Sequence, residues 1–136
     1  MKIYKQDIKD SKKENFMQRA RVLLASKGLL MSDKTLEVLY WVLFYSLEFP
    51  LTNKDKTFKN MNQMHIAIAK EMGVYSSYIG AYINDRLISN KLITRTMSIP
   101  SDRFSRARIE KYDVPAWLES VYNSANFKME LTFSYE

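Results

Sequence analysis

Cysteine is absent from the 136 residues, so the chain has no disulfide, no thiolate nucleophile and no cysteine-based zinc site. The single histidine, His65, leaves no cluster for a metal, and no cofactor is expected. With three Gly and three Pro, long flexible linkers are excluded as well. No apolar run reaches the roughly 20 residues that a bilayer span needs. The most apolar stretch, "LEVLYWVLFYSLEF" at 36–49, carries Glu37 and Glu48 and reads as a buried core helix, so no membrane partner is expected. The N-terminal "MKIYKQDIKDSKKENF" lacks the apolar core of a signal peptide, which predicts a cytoplasmic protein.

What is present is a globular composition, 46% hydrophobic and 26% charged, of a length that suits one domain. The net charge of +6 is unevenly distributed. Residues 1–27 hold eight Lys and Arg against three Asp and Glu, and residues 91–111 hold six against two. The stretch 28–90 balances at six against six, and 112–136 is acidic, with one against four. Two separated basic blocks favour a polyanionic partner.

Helix signals come first along the chain. "SKKE" offers Ser11 as a cap and Glu14 as its capping-box partner for a helix ending near Gly28. Ser32-Asp33 starts a second helix, apolar nearly all round and stopped by Pro50, which predicts the central one. A polar loop follows. Asn60 or Asn62 then caps a third helix from about Gln63 to Met72, closed by Gly73. Ser76 or Ser77 caps a fourth, reaching about Asn90, with Ile79, Ile83 and Leu87 on one face. Beyond it the period changes: "LITRTMSI", the turn "PSDRFS" and "RARIEKYDV" predict a β-hairpin. Pro115 suits the first position of a short helix, and "FKMELTFSY" alternates like a strand.

The fold class expected is therefore mainly α with a β-hairpin (α+β), in a single domain over 1–136. It divides into N-terminal helices (1–59), a helix, turn, helix and hairpin (60–112), and a helix-strand extension (113–136). In "AKEMGVYSSYI" the small Ala69 lets two helices approach, Gly73 accepts the turn, and Ile79 wedges the second helix against the first. This segment resembles the helix-turn-helix of bacterial and phage DNA-binding regulators. "LISNKLITR" at 87–95 is similar to the passage from reading helix to first wing strand in winged-helix repressors. Those often carry glycine where this chain has Asn90-Lys91, and Asn also tolerates such a bend.

The resemblance implies that the second helix enters the major groove of double-stranded DNA. On that reading Ser76, Ser77, Gly80, Ala81 and Asn84 lie opposite Ile79 and Ile83, with Tyr75 at the entrance. Serine hydroxyls and free N–H groups suit a phosphate or a base acceptor, Asn84 suits an adenine edge, and Ala81 a thymine methyl. Gly80 within a helix costs about 1 kcal/mol relative to Ala, which points either to close approach of the backbone to a ligand or to crowding against another helix. Because this helix opens with uncharged residues, backbone affinity falls to Lys91, Arg95, Arg103, Arg106, Arg108 and Lys111 on or beside the hairpin. Alternating charges there equally describe a solvated face. Lys5, Lys9, Lys12, Lys13, Arg19 and Arg21 extend the footprint or are simply solvated.

His65 reads as a surface or capping side chain, and Tyr40, Trp41, Phe44, Tyr45 and Trp117 as core rather than a stacking platform. No nucleophile-base pair, phosphate-binding glycine loop or metal spacing occurs, so an enzyme is not expected. The functional expectation is a DNA-binding transcriptional regulator, acting as a homodimer on two half-sites, with the first helix or "FKMELTFSY" as the dimer contact. The weight of Lys, Asn, Tyr and Ile suits an AT-rich phage or plasmid. Two alternatives stay open: a replication or packaging initiator that marks an origin, and an interaction module that docks on a host factor such as polymerase.

Overall fold

The computed structural model describes residues 3–4, 11–49, 61–98, 108–126 and 133–134. Its first helix, α1 (Lys12–Ser26), starts after Ser11, whose side chain makes no capping bond, so the expected capping box is not formed. The helix ends in a reversed turn at Gly28, where the Leu29 N–H donates to the Leu24 carbonyl at 2.8 Å. Helix α2 (Asp33–Leu43) is capped as its sequence predicts, with the Thr35 N–H donating to the Ser32 hydroxyl at 3.2 Å. Beyond Leu43 it widens into a π-helical turn, Phe44–Glu48, and closes at Phe49. The predicted stop at Pro50 lies just outside the described residues.

Helix α3 (Met61–Met72) begins before its predicted start, which puts Asn62 inside it rather than at its cap, while Asn60 lies outside the described residues. Helix α4 (Ser76–Tyr82) runs on through a second π-helical turn, Ile83–Ile88. Its N-cap is Tyr75, in extended conformation with the Tyr78 N–H donating to its carbonyl. The serines expected to cap it are its first two residues instead. Two antiparallel strands follow, β2 (Thr94–Ser98) and β3 (Arg108–Asp113), and then α5 (Ala116–Asn123), for which Pro115 is the N-cap rather than the first helical residue. A single turn of 3-10 helix, Ser124–Asn126, completes this part.

The predicted tip "PSDRFS" and most of "FKMELTFSY" lie outside the described residues. Phe133–Ser134 of the latter is a strand, β4, and it pairs antiparallel with β1 (Ile3–Tyr4), a partner that the N-terminal sequence did not announce. The fold is thus mainly helical with a small antiparallel hairpin, an α+β arrangement. Among the described residues no helix is long and apolar enough to cross a membrane.

The core gathers on α2. Leu36, Val38, Leu39, Val42 and Leu43 are fully buried, because an all-round apolar helix finds partners on every side: Phe16, Ala20 and Leu24 of α1, Ile68 of α3, Ile79 and Ile83 on α4 and its extension, and Leu118 of α5. Phe16, Tyr40 and Tyr122 form an aromatic triangle with centroids 5.8–6.0 Å apart. Tyr40 and Tyr45 are buried and Trp41, Phe44 and Trp117 pack against the same core, which makes these aromatics structural. Asn15 is buried with them and donates from Nδ2 to the Ala125 carbonyl at 3.4 Å.

Candidate nucleic-acid interface

The junction between α3 and α4 follows from three residues. Ala69 is 5% exposed, and its methyl group keeps the two helices close. Gly73 sits at φ +67°, the left-handed region, with nothing within 4 Å of where a Cβ would stand. Glycine is therefore required there by backbone conformation and not by space. The Val74 N–H returns to the Ala69 carbonyl at 3.0 Å and closes the turn. Ile79, Ile83 and Leu87 are fully buried and seat the second helix on the core.

That seam determines what faces outward. Ser77, Ala81 and Asn84 are exposed, as their sequence positions predict, and Tyr75 stands at the entrance. Ser76 is half covered. Gly80 does not join the outward set: a Cβ there would lie 3.6 Å from Nδ1 of His65, so this glycine turns toward α3. Of the two readings of Gly80, the direction agrees with the neighbouring helix, although 3.6 Å is ordinary contact and leaves room for a methyl group.

His65 itself is neither a surface side chain nor a cap. It is half-buried in the middle of α3, its Nε2 lies 2.6 Å from the Tyr112 hydroxyl, and the two rings stack with centroids 5.9 Å apart. Burial lowers its pKa below 6.5, holding the imidazole neutral. Burial also pushes the Tyr112 phenol up to about 12, against the opposing pull of the Arg95 charge. A signal for this was present, because His65 falls on the stripe Met61, Met64, Ile68, Ala69 that α3 buries.

The hairpin sorts its basic residues onto two faces. Arg95 is opposite Tyr112, and Thr96 is opposite Lys111, so Arg95 shares the face of buried Tyr112 while Lys111 lies on the other. Arg95 reaches back to the fourth helix, donating from Nη1 to Oδ1 of Asn84 at 3.0 Å. Lys111 pairs instead with Asp113 at 3.6 Å, and Asp113 also accepts from the Thr96 hydroxyl at 2.5 Å. Between Thr96 and Met97 the register slips, leaving Glu110 as a bulge. Arg108 opens β3 opposite Ser98, and Arg103 and Arg106 lie outside the described residues.

Lys91 is exposed and holds the bend before β2 at φ +59°, with the Leu92 N–H returning to the Leu87 carbonyl at 2.9 Å. The left-handed residue is thus Lys91 and not Asn90, whose Nδ2 donates to the Arg86 carbonyl at 2.7 Å.

The basic residues of α1 are engaged within the fold. Lys12 lies 3.7 Å from Glu48 and over the Tyr122 ring, Lys13 lies 3.4 Å from Glu37, Arg21 pairs with Asp33, and Arg19 donates to the Ser124 carbonyl. Lys5 and Lys9 lie outside the described residues. Three carboxylates from α2 and its extension thus answer the cations of α1, which removes much of the N-terminal block from any shared basic face.

Tyr78, Asp85 and Arg86 carry no motif signal in the sequence, yet they belong to this face. Tyr75 and Tyr78 are 77% and 56% exposed with ring centroids 6.2 Å apart, and with Tyr82, Val74, Met72 and Lys34 they line a shallow groove. Their spacing, three residues from Tyr75 to Tyr78 and four from Tyr78 to Tyr82, was the available hint. Asp85 is exposed beside Asn84, and Arg86 lines a second shallow groove with Tyr78 and Ala81. The α4 face thus mixes hydroxyls, an amide, a carboxylate and a guanidinium. Comparisons of this chain with protein-family models, with curated proteins and with solved structures found no match.

Proposed function

We propose that this protein binds double-stranded DNA as a winged-helix regulator of transcription, with α4 against base edges and the hairpin as the wing. The observation that carries the reading is the meeting of Arg95 and Asn84: the hairpin delivers a cation to the exposed face of a helix whose first two turns are uncharged, on the side away from the buried Ile79 seam. Phosphate neutralisation then comes from Arg95, Lys91 and the Arg103 to Arg108 segment, and base contacts come from Ser77, Tyr78, Ala81 and Asn84. A homodimer acting on half-sites about 34 Å apart fits such a module, and a phage or plasmid is the provenance that the composition suits.

A mobility-shift series on duplex fragments across a range of salt concentrations tests the reading. Arg106→Ala/Arg108→Ala should weaken binding to every fragment and reduce the slope of log K against log salt by about one for each phosphate no longer neutralised. Absence of any shift at low salt sinks the proposal. Docking on a host protein is the second reading, and the exposed Tyr75 and Tyr78 rings beside Asp85 favour it, since aromatic groups are enriched in protein interfaces and a carboxylate repels phosphate.

A further inference from the structure

We infer that Arg95 is a positioning residue for Asn84, setting which end of its amide a base pair meets. Arginine carries donors and no acceptor, so the Asn84 atom that faces its Nη1 at 3.0 Å is the carbonyl oxygen Oδ1. The amide is thereby prevented from turning over, and its Nδ2, which has no partner among the described residues, is the end left for a ligand.

The guanidinium is held in turn by its strand. Arg95 lies opposite Tyr112, whose hydroxyl bonds His65, and His65 packs against Gly80 of the same helix that carries Asn84. Hairpin, α3 and α4 are therefore braced at two points, and the Asn84 side chain is the exposed end of that brace.

The consequence is chemical. A free Nδ2 donates, so it selects a hydrogen-bond acceptor, which in the major groove is N7 of either purine, O6 of guanine or O4 of thymine, and it disfavours cytosine, whose N4 amino group donates. The second lone pair of Oδ1 remains able to accept from the adenine N6 amino group, and the two contacts together favour adenine over guanine and thymine, which offer no amino group there. Arg95 thus contributes to specificity without itself touching a base, while its remaining N–H groups are free to meet a phosphate.

This inference rests on the DNA-binding reading, and the test separates the two. A duplex is first selected from a random-sequence pool with the wild-type protein, and anisotropy titrations then compare that duplex with its single-base variants. In the wild type one position should show at least a roughly fivefold preference for adenine, and Asn84→Ala should abolish it. Arg95→Ala should abolish the same preference, whereas Arg95→Lys, which keeps the charge and a donor, should restore part of it and the full salt slope. Three results overturn the inference: Arg95→Ala keeping the wild-type preference, Asn84→Ala keeping a preference that Arg95→Ala then removes, or Arg95→Lys behaving as Arg95→Ala in base preference. If the wild type selects no duplex, the DNA-binding reading fails and takes this inference with it. Loss of preference at unchanged melting temperature is the expected signature, because both side chains are exposed and neither belongs to the core.

Discussion

Adding one methyl group to each of two glycines should move stability in opposite directions. At Gly73 the backbone has φ +67°, where an L-residue brings its Cβ too close to the following carbonyl, at a cost of about 1–2 kcal/mol. Alanine recovers roughly 0.5–1 kcal/mol of that by restricting the unfolded chain, so Gly73→Ala should destabilise by about 1 kcal/mol net. Nothing within 4 Å of the new carbon adds a clash, so the loss is a matter of conformation alone. At Gly80 the backbone is ordinary helix, and the new methyl meets only the His65 ring at 3.6–3.7 Å. Gly80→Ala should therefore stabilise by about 0.8–1 kcal/mol. In thermal terms the two variants should fall on either side of the wild type by roughly 3–4 °C each. Urea titrations with unchanged slope provide the cleaner comparison. A neutral or destabilising Gly80→Ala would refute the space assigned beside His65, and a stabilising Gly73→Ala would refute the left-handed turn. The Gly80 variant also bears on the proposed function: its methyl points at α3, so any affinity for duplex DNA that the wild type shows should stay within about twofold in the variant.

His65 should make stability depend on pH. Its folded pKa lies below the ordinary 6.5 because burial disfavours imidazolium, so the unfolded chain takes up the proton first as pH falls. This contribution is complete above about 6.5 and is lost as pH drops through the lower folded value; urea midpoints between about pH 5 and 8 should show the decline, and His65→Gln should flatten it. Lys91→Gly should stabilise by about 0.5–1 kcal/mol, since the lysine holds a φ of +59° that glycine adopts without strain, and a higher melting temperature is the readout.

Much of the frame was legible because its signals are local. Ser32, Gly28 and Gly73 punctuate helices within one turn of themselves, and the every-fourth-residue row Ile79, Ile83, Leu87 is buried as its spacing implies. The winged character and the DNA partner remain proposals that rest on this frame. What the sequence concealed depends on distant partners or on helix phase. The α1 cations find carboxylates 12 to 36 residues away, a pairing that charge counts cannot reveal, and so part of the predicted basic footprint is neutralised in place. The bend before β2 was expected at Asn90, but the π-helical turn accommodates one residue more and moves it to Lys91. Gly80 and His65 hide from single-element reasoning because each is explained only by the other.

The π-helical turn at Ile83–Ile88 also solves a problem of angle. An α-helix advances about 100° per residue, so a row repeating every fourth residue drifts by about 40° at each step and by about 80° over two. In a regular helix Ile79, Ile83 and Leu87 would spread over most of the roughly 100° stripe that a core-facing helix buries, and all three are fully buried. The wider turn rotates less per residue and so narrows that spread. Asn84 stands at the start of that correction, with the Ser89 N–H reaching five residues back to its carbonyl at 3.2 Å. The departure from α-helical winding that narrows the seam therefore also sets the azimuth at which the Asn84 amide meets Arg95.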